Sequence, residues 1–92
     1  MDLSPVITII PLAARKMSLR GIPRAWVEET VRFPEETIAG YGGRLVAQRV
    51  YLVDRKRMML RVVYERAKKD YVVVTAYLTS QVERYRRQAH GD

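Results

Sequence analysis

Residues 44–78 read RLVAQRVYLVDRKRMMLRVVYERAKKDYVVVTAYL. Apolar and β-branched residues come in extended-chain runs, each bounded by a charged cluster, and this pattern predicts strands over Arg44–Val53, Met58–Glu65 and Tyr71–Leu78. Asp54–Arg57 is expected to be the turn of the first hairpin. With Val53 opposite Met58 and Glu65 opposite Tyr71, one sheet face collects the rows Tyr51, Leu60, Ala76; Arg49, Val62, Val74; and Ala47, Tyr64, Val72. That face is mostly apolar. The opposite face holds Val50, Arg61 and Thr75 in one row, with Gln48 and Tyr77 in the rows beside it. It is expected to be open or only partly covered, presenting Arg61 flanked by Gln48, Thr75 and Tyr77. A one-residue slip in either turn would exchange the faces.

Upstream, Val6–Ile10 reads as a first strand closed by Pro11. Ala13 and Met17 share a helical face in Leu12–Arg20, and Gly21 ends that helix. Pro23 opens a second helix with an apolar stripe of Trp26, Val27, Thr30 and Val31, stopped at Phe33-Pro34. Glu36–Tyr41 reads as a weak edge strand before the turn at Gly40, Gly42 and Gly43. Downstream, Ser80 and Glu83 have capping-box spacing and open a C-terminal helix through Gln88. The expected order is β-α-α, three or four antiparallel strands, then α: an α+β fold in a single domain over residues 1–92.

Zero Cys and a single His, His90, remove thiolate chemistry and imidazole clusters, so no metal or other cofactor is expected. Val6–Ala14 is too short and too interrupted for a membrane span, which takes roughly 20 residues, and no cationic stretch precedes it as in a signal peptide. A cytoplasmic location in a bacterium or archaeon is the default expectation.

The net charge is +7, and 13 of the 17 basic residues are Arg. Met1–Gly43 balances five basic against five acidic residues, and Asp70–Asp92 balances three against three. The whole excess therefore falls in Arg44–Lys69, where nine basic residues face two acidic ones. Arg49, Arg55, Lys56, Arg57, Arg61, Arg66, Lys68 and Lys69, interleaved with Tyr51, Tyr64, Tyr71 and Tyr77, have the composition of a nucleic-acid surface. Cations neutralise phosphates, and tyrosines stack on bases. The plainer reading is a hairpin kept soluble by turn cations, with half-buried strand tyrosines. Gly40-Tyr41-Gly42-Gly43 lacks the Lys-Ser/Thr of a phosphate-binding loop and reads as a turn. Glu28-Glu29 and Glu35-Glu36 have no companion to make a catalytic pair, and Trp26 reads as core.

Leu12-Ala13-Ala14-Arg15-Lys16-Met17-Ser18-Leu19-Arg20-Gly21-Ile22 resembles the opening of a domain-of-unknown-function family in the RelE/ParE toxin superfamily, near the BrnT-like toxins. Their pattern is His-Ala-x-x-Arg-Met-x-x-Arg-Gly-Ile. Ala13, Met17, Arg20, Gly21, Ile22 and Pro34 match, whereas Leu12 replaces the His and Lys16 the Arg. Leu60-Arg61-Val62-Val63 and Val74-Thr75-Ala76-Tyr77 resemble the family's last two strands. The resemblance implies a RelE-like fold and a toxin of a toxin–antitoxin pair that binds RNA or the ribosome and cleaves messenger RNA. It nominates Lys56, Arg57, Arg61, Tyr77, Arg84 and Tyr85 for that chemistry, with tyrosine or lysine moving protons and arginine stabilising phosphorane charge. Two further readings stay open: a non-catalytic module that docks an acidic partner such as an antitoxin, and a ParE-like inhibitor of a DNA enzyme. The oligomeric state, a homodimer included, is left open by the sequence.

Overall fold

β-Branched residues set the first strand, β1 (Ile7–Ile9), and Pro11 ends it by opening helix α1 (Pro11–Leu19), whose first turn can spare the missing N–H. The computed structural model describes residues 4–91; Met1–Leu3 and Asp92 lie outside the described residues. The chain continues through α2 (Arg24–Arg32), β2 (Glu36–Ala39), a 3-10 turn (Tyr41–Gly43), β3 (Leu45–Val53), β4 (Lys56–Ala67), β5 (Asp70–Thr79) and α3 (Val82–Ala89). The fold is α+β, as expected. The sheet has five strands in the order β1-β5-β4-β3-β2. β2 to β5 are antiparallel, and β1 adds a fifth strand parallel to β5, which makes the sheet mixed.

α1 stops in a Schellman arrangement. Gly21 takes φ +67°, its N–H donates to Ser18 O (3.2 Å), and Ile22 N–H donates to Met17 O (2.9 Å). Met17 and Ile22 are both buried beside this crossing, and Arg20 Nη1 donates to Ala76 O (2.8 Å), tying the helix end to β5. The Met-x-x-Arg-Gly-Ile stretch is thus a helix terminator and an anchor to the sheet.

Ala13 and Met17 from α1 and Val27 and Val31 from α2 pack on Ala47, Leu60, Val62, Tyr64, Val73 and Ala76 of the sheet. Trp26 is half-buried and stacks on Tyr51 with ring centroids 4.4 Å apart. This is the apolar face expected to carry the two helices, but its register differs in two ways. The first turn is only Asp54–Arg55, with φ +50° and +67°, and it pairs Val53 with Lys56 rather than with Met58. The two-residue shift preserves the faces and moves each row by one. No glycine marks this two-residue, doubly positive-φ turn, so it reads as a longer loop in the sequence. In the second hairpin Glu65 pairs with Val72 rather than with Tyr71, a one-residue slip that exchanges the faces along the first half of β5, and a bulge at Val63/Tyr64 restores them beyond it. Val73 is therefore fully buried and Tyr71 packs on the core, in place of the expected Val72 and Val74.

The capping box at Ser80 and Glu83 does not form. α3 begins one residue later, with Gln81 at its N-cap and no side-chain cap. Gln81 N–H instead donates to Thr79 Oγ1 (3.1 Å).

Candidate functional site

The second sheet face is not open around Arg61. β3, β4 and β5 align Gln48, Arg61 and Tyr77 in one row, and α3 packs over β4 and β2 on this side. Arg61 keeps only 8% of its surface exposed, and Gln48 and Met59 keep none. The Arg61 guanidinium is held on three sides. Its Nε donates to Gln48 Oε1 (2.8 Å), its Nη1 donates to the Tyr77 hydroxyl, and its carbon lies 3.9 Å from the ring centroid of Tyr85 on α3. Thr75, expected beside Arg61, sits one row away opposite Val63.

None of the ion pairs among the described residues includes Arg61. Burying a cation without a carboxylate is costly, because neutral partners recover only part of its hydration. The nearest acid in the hydrogen-bond chain is one step removed: Gln48 Nε2 donates to Glu36 Oε1 (3.2 Å). Arg86 Nε is the one enclosed side-chain nitrogen or oxygen without a partner among the described residues. The described hydrogen bonds of the Arg61 side chain use Nε and Nη1, which leaves Nη2 as the guanidinium edge that makes none. An anion reaching that edge would meet a preorganised donor beside a phenol, the geometry that serves phosphate binding or charge stabilisation.

Charged residues around this centre divide into anchors and free cations. Arg86 pairs with Glu35 (3.0 Å), His90 approaches Glu36 (3.8 Å) and Arg57 approaches Glu83 (3.4 Å), so these pairs dock α3. Glu35 and Glu36 act as anchors for α3, and the sequence singled out neither them in this role nor Arg86 and His90. Their signal was faint, since exposed acids and a terminal helix look alike in most chains. Arg49 turns to the helix side, where Nη1 donates to Phe33 O (2.8 Å) and Nε lies 3.5 Å from Glu29. Arg84 donates to Gln81 Oε1 (2.9 Å). Arg55 and Lys56 at the hairpin tip are exposed and join no ion pair among the described residues.

The tyrosines divide as well. Tyr51 faces α2, donating to Glu29 Oε1 (2.7 Å), and burial pushes its phenol pKa above the usual value near 10.0. Tyr64 is raised for the same first reason and tilts against Tyr71 at 5.0 Å. These three serve the core side, which leaves Tyr77 and Tyr85 with Arg61.

Residues 13–78 match the family model described as "Domain of unknown function (DUF4258)". The chain belongs to the DUF4258 family. No curated protein and no solved structure matches it. The DUF4258 match takes in Glu35, Glu36, Gln48, Arg61 and Tyr77 and ends before α3, so Tyr85, Arg86 and His90 lie outside the matched stretch. Among the described residues of this DUF4258 chain, no group of acidic and histidine side chains could hold a metal ion, and no helix is long and apolar enough to cross a membrane.

Proposed function

We propose that this chain binds RNA phosphate through Arg61 and acts as a RelE-like toxin component of a toxin–antitoxin pair in the cytoplasm. The observation that carries the reading is the buried, acid-free guanidinium fixed by Gln48, Tyr77 and Tyr85. A site that retains an uncompensated cation gives up stability, and a phosphate supplies the missing charge. In RNA cleavage Arg61 would stabilise the phosphorane, with the Tyr77 hydroxyl beside it as the proton-transfer group. Arg55, Lys56 and Arg57 at the hairpin tip and Arg84 beside Tyr85 would position the backbone.

The test is binding of single-stranded RNA across a salt series, followed by gel analysis of the RNA for cleavage. Log K should fall with log salt at about 0.7 per phosphate neutralised. A flat salt response sinks the reading.

One observation favours a second reading. Tyr85 lies on the guanidinium and α3 covers the row, leaving Arg55 and Lys56 at the hairpin tip as exposed cations outside any ion pair among the described residues. A non-catalytic module that docks an acidic protein segment, such as an antitoxin, would use those cations alone. Tight binding of an acidic peptide that outcompetes RNA and leaves it uncut would favour it.

A further inference from the structure

The excess charge is contiguous in sequence but divided in space. β4 runs twelve residues, from Lys56 to Ala67, roughly 36–40 Å at about 3.3 Å per residue, and the longest dimension of the molecule is 36 Å. Arg55 and Lys56 therefore lie at one end of the sheet, with Arg66, Lys68 and Lys69 at the other. Between them Arg61 is buried and Arg49 is engaged with α2.

The far end has features of its own. Arg44 pairs with Glu65 at 2.9 Å, while Arg66, Lys68 and Lys69 are exposed and join no ion pair among the described residues. Gly42, Gly43, Leu45, Glu65 and Arg66 line a surface groove of about 520 Å³. Tyr41, 98% exposed, stands in the 3-10 turn that supplies the two glycines. An exposed tyrosine next to a groove that has Arg66 in its wall, on an end of the sheet that also carries Lys68 and Lys69, can serve as a stacking platform for an unpaired base.

We infer that the molecule carries a second single-stranded RNA subsite, formed by Tyr41, Arg66, Lys68 and Lys69, and that one strand engages both ends of the sheet. The inference rests on the RNA reading of Arg61 and the Arg55–Lys56 tip and extends it to a minimum ligand length for a strand that runs from that tip to the far end. Spanning 36 Å takes roughly ten stacked nucleotides at about 3.4 Å each. Short oligomers can occupy one end only. Longer ones gain the second contact at high effective concentration.

The experiment compares oligouridylates of about 5 and about 16 nucleotides, lengths chosen on either side of that span. They are bound to the wild-type chain and to the triple variant Arg66→Gln, Lys68→Asn, Lys69→Gln, with thermal melts to confirm equal folding. Asn is chosen at position 68 because Lys68 has φ +59°. The wild type should bind the long oligomer at least about tenfold more tightly than the short one. The variant should lose that gain while holding the short oligomer within about twofold. Its salt slope for the long oligomer should fall by roughly 2, three cations at about 0.7 each. An unchanged length gain in the variant overturns the second subsite and leaves the Arg61 reading standing. Absence of RNA binding at both lengths overturns both.

Discussion

Gly21 holds φ +67° with open space around its Cα, so an alanine there would meet no neighbour and would carry only the cost of the left-handed backbone. Gly21→Ala should destabilise the fold by about 1–2 kcal/mol, seen as a lower midpoint in denaturant, with RNA binding unchanged. The reverse case is Arg55, a non-glycine residue at φ +67° in the two-residue turn. Arg55→Gly should raise stability by about 1 kcal/mol, while the salt slope of RNA binding drops by about 0.7. The two glycine effects also mark what could be read from the chain. Gly21 announced the end of α1, because only a residue free of a Cβ sits easily there. No such marker stands at Asp54-Arg55, so the pairing of β3 with β4 was misread by two residues while each β3 residue kept its proper face. The one-residue slip at the second turn and the bulge at Val63/Tyr64 that offsets it have no sequence signature, and the slip is why Tyr71 and Val73 were assigned to the wrong face. Arg61, Gln48 and Tyr77 were legible as neighbours because side-chain alternation survives a two-residue slip.

α3 is the element whose role was least visible. Its capping signal misled, and its contacts are to residues distant in the chain. Val82 is its one buried residue, and the rest of its hold comes from Arg86 on Glu35, His90 near Glu36, Glu83 near Arg57, and Tyr85 on Arg61. Exposed ion pairs contribute only about 0.2–1 kcal/mol each and are screened by salt. Amide exchange across α3 should therefore accelerate as salt is raised, while β4 and β5 stay protected. Hydrogen exchange read by mass spectrometry separates the segments. Equal protection of α3 at low and high salt would mean that packing, not charge, docks it.

Across the whole molecule, the apolar core and the charged periphery respond to different variables. The phenols of Tyr51 and Tyr64 are raised by burial, so the folded state holds their protons more tightly than the unfolded chain does. Their contribution is fully present below the unfolded value near 10.0 and is lost as pH rises through the higher folded values. Melting temperature should hold up to about pH 9 and fall above pH 10, with a shallower fall in Tyr51→Phe. The charged periphery is divided between the two ends of the sheet, with Arg61 enclosed between them, and its purpose on this account is to bind RNA. The most direct measurement is the affinity of wild type and Arg61→Lys for a single-stranded RNA over the same salt series, with circular dichroism to establish equal folding. Lysine keeps the charge and loses the planar fork that Gln48 and Tyr77 hold. The expected result is a loss of about tenfold or more in affinity at a nearly unchanged salt slope. RNA affinity that is the same in both proteins would contradict the assignment of Arg61 as the phosphate anchor.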